Sequence, residues 1–156
     1  MVLASNLAWA TEPYRANLPQ GVADGQRYTI VITNETFVGY PAWSPKQDDP
    51  PPLSPQKAYK LALAELIRLV NTPDVYQESE ITLQRFFDTS SWYYNVVFIC
   101  PNWELIEPYR TLLEKGEWKK SEMPVVWICV LFDGSIVKNY EFRGTHLDFG
   151  TKPKKD

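Results

Sequence analysis

Few residues of this chain are of the types that do chemistry, and their spacing decides how far each can go. The single histidine, His146, has Asp148 two residues on, a pairing that can supply a base oriented by a carboxylate. Both sit in a Gly-flanked C-terminal stretch that holds neither in place, so a solvated surface pair is the plainer reading. Glu78 and Glu80, at i and i+2, face one side of a strand entry, where paired carboxylates can run acid–base work; a solvated strand edge explains them more simply. Asp48-Asp49 lies in a proline-dense stretch and lacks the alternating oxygen ligands of a calcium loop. Cys100 and Cys129, with only His146 besides, fall short of a four-ligand zinc site. If their strands are neighbours, the two thiols are placed for a cross-strand disulfide; otherwise they are small buried hydrophobes. No GxSxG, P-loop or strand-following GxGxxG is present. The residues therefore imply no catalytic set, no metal and no cofactor, and lean away from an enzyme.

The aromatic residues are the compositional excess with a functional reading: 6 Trp, 9 Tyr and 7 Phe in 156 residues. Trp43, Trp92, Trp103 and Trp118 fall in or beside loops and strand ends, where an indole can stack on a sugar face or anchor a protein partner. The competing reading is that they fold back and seal the core. Trp127, inside a central strand, is expected to be core. A net charge of -3 and a pI near 5.2 argue against a nucleic-acid surface, which needs a basic patch. The one basic cluster, Lys152, Lys154 and Lys155, reads as a short solvated tail. No run of about 18 apolar residues exists to form a transmembrane helix. The stretch Val2–Ala10 ends in Ala8-Trp9-Ala10, the small-x-small pattern of a signal-peptide cleavage site. Residues 1–26 are accordingly an N-terminal arm carrying the end of a signal peptide, which makes the protein periplasmic or secreted; the alternative is a cytoplasmic chain with a lead-in segment.

The elements that must position these groups follow from periodicity. Thr11–Gln26, with Pro13, Pro19, Gly21 and Gly25, reads as an extended arm that contributes little core. Arg27–Thr33, RYTIVIT, is a strand that can run on to Phe37 or Val38. Tyr40–Leu53 is a proline-dense spacer leading to a helix over Ser54–Asn71. Ser54 caps that helix, Pro55 opens it, and Tyr59, Ala62, Leu63, Leu66, Ile67 and Val70 make its apolar stripe. Glu80–Phe87 and Trp92–Cys100 form a hairpin around Asp88-Thr89-Ser90-Ser91. Pro108–Lys115 is a short helical insertion closed by Gly116. Val125–Phe142 reads as a second hairpin about Asp133-Gly134, a two-residue turn that pairs Leu131 with Ile136 and Cys129 with Lys138.

These elements predict an α+β domain over 27–142, in the order β-α-β-β-β-β, with one long helix packed on a curved antiparallel sheet of four to five strands and a C-terminal tail over 143–156. That order, with the helix entry Pro55-Gln56-Lys57-Ala58, the strand pair around Leu83-Gln84-Arg85-Phe86 and Trp92-Tyr93-Tyr94, and Asp133-Gly134, resembles the cystatin-like and PepSY-like group of small exported domains. Inhibitory cystatins carry Gln-x-Val-x-Gly and Pro-Trp turns where this chain has Asp88-Thr89-Ser90-Ser91 and Asp133-Gly134, so their protease wedge is not implied. The PepSY-like resemblance implies a module at the cell envelope, with peptidase regulation as one role. The expected function is a non-enzymatic exported domain that binds a protein, a peptide or an envelope polymer. The alternative is a cone-shaped α+β domain with a ligand pocket between helix and sheet, whose test is whether that interface is open or filled.

Overall fold

The computed structural model describes residues 15–17, 20–46, 49–87 and 89–143. Two antiparallel sheets and one main helix stand where a single curved sheet was predicted. The strands are β1 (Arg15–Asn17), β2 (Gly21–Ala23), β3 (Gln26–Thr33), β4 (Gln77–Arg85), β5 (Trp92–Ile99), β6 (Val125–Leu131) and β7 (Tyr140–Arg143); the helices are α1 (Pro55–Leu69) and α2 (Tyr109–Glu114). β3 pairs with β1, β2 and β7, while β4, β5 and β6 form a second sheet in that order.

The reason for two sheets lies after β6. Gly134 N donates to Leu131 O at 2.9 Å and Leu131 N donates to Ser135 O at 2.9 Å, so the loop is three residues long, Phe132 to Gly134. Gly134 has φ +88°, whereas Asp133 is not left-handed, and a two-residue turn of the expected type needs both. The register slips by one as a result: Val130, not Leu131, faces Ile136. Val137 N still donates to Cys129 O at 3.0 Å, and then β7 departs to pair with β3. A two-residue turn does occur, at Asp24-Gly25 inside the supposed arm. There both residues have positive φ (48° and 78°) and Ala23 faces Gln26. That hairpin brings Val22 and Ala23 into the core, against the expectation that the arm adds little. β3 itself stops at Thr33, and Asn34–Phe37 is a 3-10 turn rather than more strand.

α1 begins as predicted, with the Ser54 hydroxyl accepting from Lys57 N at 3.3 Å and Pro55 in the first turn. Its buried face is Ala58, Ala62, Glu65 and Leu66, which is rotated from the expected stripe and leaves Ile67 57% exposed. This face covers Tyr94, Val96 and Phe98 of β5 and Val126, Ile128 and Val130 of β6, which share one side of the second sheet. Tyr59 meets Phe98 at 6.1 Å between ring centroids.

The first sheet wraps the outer edge of β6. The Tyr28 hydroxyl donates to Trp127 O at 3.0 Å and accepts from Trp127 N at 2.9 Å, so one side chain stands in for a neighbouring strand. On the α1 side, Tyr140 OH donates to Glu65 Oε1 at 3.1 Å. On the other side, Phe37 packs on Phe86 at 4.9 Å and on Tyr93 at 6.2 Å. Tyr28→Phe strips Trp127 of both partners at a site where the ring is 1% exposed. The expected loss is about 1–3 kcal/mol, read as a lower urea midpoint at unchanged m value. Gly134→Val forces a β-branched residue into the left-handed region, with its Cβ 3.3 Å from Leu61 Cδ1. It is expected to cost about 1–2 kcal/mol, measured by the same titration.

Candidate functional site

The four candidate tryptophans separate into two pairs. Trp43, in the proline-dense spacer, and Trp92, the first residue of β5, meet edge to face at 5.4 Å. Trp43 N donates to Ser90 O at 3.4 Å, and its indole Nε1 donates to Asp49 O at 3.1 Å, so the spacer is tied down on the β4–β5 turn. Phe132 holds Trp43 from below, its ring 5.9 Å away. Trp103 and Trp118 go to the core instead. Each packs on Tyr109 of α2, at 6.4 Å and 5.4 Å, and both are buried. Trp118 Nε1 donates to Glu122 O at 2.9 Å, and the Arg27 guanidinium stacks over the Trp118 ring at 4.8 Å while pairing with Glu122 at 2.7 Å. These two indoles seal the insertion against the first sheet and present no surface to a ligand.

Trp43 and Trp92 line a cleft of about 330 Å³ together with Ser44, Pro45, Lys46, Arg85, Thr89 and Ser90. The turn that builds its floor is closed by Phe86 N donating to Ser91 O at 2.9 Å and Ser91 N donating to Thr89 Oγ1 at 3.1 Å, the role expected of the Thr-Ser-Ser run. Arg85 Nε donates to Phe87 O at 2.9 Å, which orients the guanidinium at the end of β4. The lining thus joins two indoles, three hydroxyls and two cations, with no carboxylate among the described residues that form it. The cleft therefore presents aromatic and basic groups side by side. A second cleft of about 290 Å³, lined by Asn34, Phe37, Val38, Phe86, Thr89 and Ser91, lies across the same turn and shares Thr89.

The remaining candidates do not converge. Glu78 faces Phe98 and Glu80 faces Val97, because a bulge between them shifts the register; they therefore point to opposite sides of the sheet and are no carboxylate pair. Cys100 and Cys129 are both free and buried. Cys100 N bonds to Pro124 O, five residues from Cys129 along the strand, a separation of about 16 Å, which no disulfide spans. Burial raises both thiols, Cys100 to about 11. Asp49 uses only its carbonyl, towards Trp43. His146, Asp148, Asp48, Ala8-Trp9-Ala10 and the tail lysines lie outside the described residues. Among the described residues no three His, Cys, Asp or Glu side chains cluster to hold a metal, and no helix is long and apolar enough to cross a membrane.

Glu65 carries the polar cluster that sequence reasoning missed, since its place in α1 looks like any exposed helix position. It is 5% exposed, bonded by Arg68 Nε at 2.9 Å, by the Arg68 Nη2 and by Tyr140 OH, with Lys138 Nζ at 3.9 Å. Burial pushes its carboxyl up, and the bonds and charge of Arg68 with Tyr140 and Lys138 outweigh that, leaving it below its ordinary 4.5. A depressed folded value means that the ionised cluster stabilises the protein above pH 4.5 and loses that contribution as pH falls through the lower, folded value. Glu65→Gln is therefore expected to lower the urea midpoint near neutrality and to flatten its fall below that pH, checked by urea titrations at stepped pH. Comparison of the chain with protein-family models, with curated proteins and with solved structures finds no match.

Proposed function

We propose that this chain is a non-enzymatic binding module that grips a protein, peptide or polymer at the cleft of Trp43 and Trp92. The observation that carries the reading is the lining itself: two orthogonal indoles beside Lys46 and Arg85. Indole faces take the apolar side of a ring, and the Lys46 ammonium beside them takes a neighbouring carboxylate, sulfate or phosphate. An acidic polysaccharide meets both demands along its length, and the PepSY-like resemblance sets such a module at the cell envelope. The cone-shaped alternative, with its ligand between helix and sheet, is disfavoured: Ala58, Ala62 and Leu66 of α1 and Val96, Phe98, Val126 and Ile128 opposite them are all buried core.

Titration with alginate, an acidic sugar polymer, is expected to quench tryptophan fluorescence in a salt-sensitive way. Lys46→Glu should weaken that binding at least tenfold and Trp43→Ala should abolish it, with the circular dichroism spectrum retained. No binding to alginate, to neutral dextran or to a mixed peptide library would remove the cleft as the site.

A further inference from the structure

The two outer edges of the β4–β5–β6 sheet are treated differently. Along β6 the edge is closed, by Tyr28 at Trp127 and by residues 135–137 at Cys129 and Leu131. Along β4, a nine-residue strand without proline, no strand pairs among the described residues. Which backbone groups this leaves open follows from alternation. Cys129 and Leu131 bond outward on β6, so Ile128 and Val130 bond to β5. Carried through Val96↔Ile128 and Thr82↔Asn95, the same alternation turns Thr82 and Gln84 towards β5 and leaves the N–H and C=O of Ile81 and Leu83 facing out. An open edge of this length is a template for another strand.

The side chains along that edge say which strand fits. β4 is acidic at its start, with Glu78 and Glu80, and basic at its end, with Arg85. Glu78 lies opposite Phe98 and Arg85 opposite Trp92, so the two charges share the side of the sheet that α1 covers. Two copies of the strand run antiparallel bring the acidic end of each to the basic end of the other. Outward residues must meet outward residues, and of the registers that satisfy this the one centred on Thr82 sets the acidic end of each strand beside the Arg85 of the other. In it Ile81 exchanges two backbone bonds with Leu83 of the second copy, and Leu83 with its Ile81, for four in all. Thr82 faces Thr82, Glu80 faces Gln84, and Glu78 lies beside Arg85. The bulge after Glu78 ends the usable edge where that pairing ends.

A second feature lies on the same flank. Leu63 and Ile67, members of the stripe predicted for α1, sit on the β4 side of the helix, since Glu65 and Leu61 face β7 and the Gly134 loop. Ile67 is exposed, and Ile81 and Leu83 below it are only half-buried. The apolar surface left over by the monomer thus borders the open edge.

We propose that the chain forms a two-fold homodimer in which β4 pairs antiparallel with β4 of a second copy, Thr82 on the axis, making one continuous six-stranded sheet. The proposal rests on the strand edge rather than on the tryptophan cleft, with which it shares Arg85. Thr82 meets itself as a non-hydrogen-bonded pair with Cα atoms about 4.5 Å apart, close enough for a disulfide, and both native thiols are buried. Thr82→Cys is expected to form a disulfide-linked dimer under mild oxidation. Glu80→Cys and Gln84→Cys should cross-link with each other when mixed, and neither alone. Leu83→Pro removes an outward N–H without breaking a hydrogen bond to β5 and should be monomeric by sedimentation at concentrations where the parent is dimeric, with a circular dichroism spectrum that still reports a folded chain. A parent protein that sediments as a monomer at several hundred micromolar while Thr82→Cys stays reduced overturns the proposal, as does a dimer that cross-links only at another register. Should Leu83→Pro fail to fold, the cysteine pair decides alone.

Discussion

The fold turns on one phenol. Tyr28 donates its proton to the carbonyl of Trp127 and takes the amide proton of the same residue, so a side chain from one sheet completes the ladder of the other. A phenol offers both functions from one atom at the end of a long, rigid side chain, and burial pushes the Tyr28 hydroxyl far above its ordinary range, which keeps it neutral. Its ring needs room. Gly21 faces Tyr28 across the β2–β3 pair, and a Cβ there would stand 2.5 Å from the ring. Tyr140 meets the ring edge-on at 5.4 Å and passes the connection to Glu65 and thus to α1. Helix and both sheets are joined through a chain of three side chains, each from a different element.

That dependence explains what was legible in the sequence and what was not. The caps of α1, the strand at Arg27–Thr33, the hairpin of β4 with β5 and the Pro108–Lys115 insertion all rest on local signals, and all formed close to where those signals lie. The chain contains two Asp-Gly pairs, and they are locally alike. The pair at Asp133-Gly134 sits between the stronger strand formers, yet the tight two-residue turn forms at Asp24-Gly25. The difference is remote: after Val137 the chain must leave β6 to reach β3, and a looser three-residue loop permits the departure. The rotation of α1 has the same origin. Counted along the helix, Glu65 belongs outside the stripe; Tyr140 and Lys138, far away in sequence, draw it inward and leave Ile67 out.

The tryptophans carry the same lesson for the site. Trp43, Trp92, Trp103 and Trp118 share one description in the sequence, a large aromatic beside a loop or strand end. Tyr109 separates them, by drawing Trp103 and Trp118 into the core while Trp43 and Trp92 stay only half-buried. Trp43 instead finds Trp92, because the proline-dense spacer is stiff enough to cross the β4–β5 turn and be fastened there by Ser90 and Asp49. The spacer that leads to α1 is thus also what carries an indole to the cleft.

Arg85 belongs to both of the surfaces that the fold leaves unused. It ends β4, whose outer edge carries no strand among the described residues, and its side chain lines the cleft of Trp43 and Trp92. Small domains have two ways to tolerate an open sheet edge: to blunt it or to occupy it. Here the acidic residues Glu78 and Glu80 and the bulge stand at one end; the regular run from Ile81 to Gln84 carries none of these guards and leads through Arg85 into the cleft. An edge guarded throughout would be a defence against pairing. An edge guarded only at the end remote from the cleft instead selects the register in which a strand can join, and it holds Arg85 in the ladder at the point where its guanidinium meets the indoles.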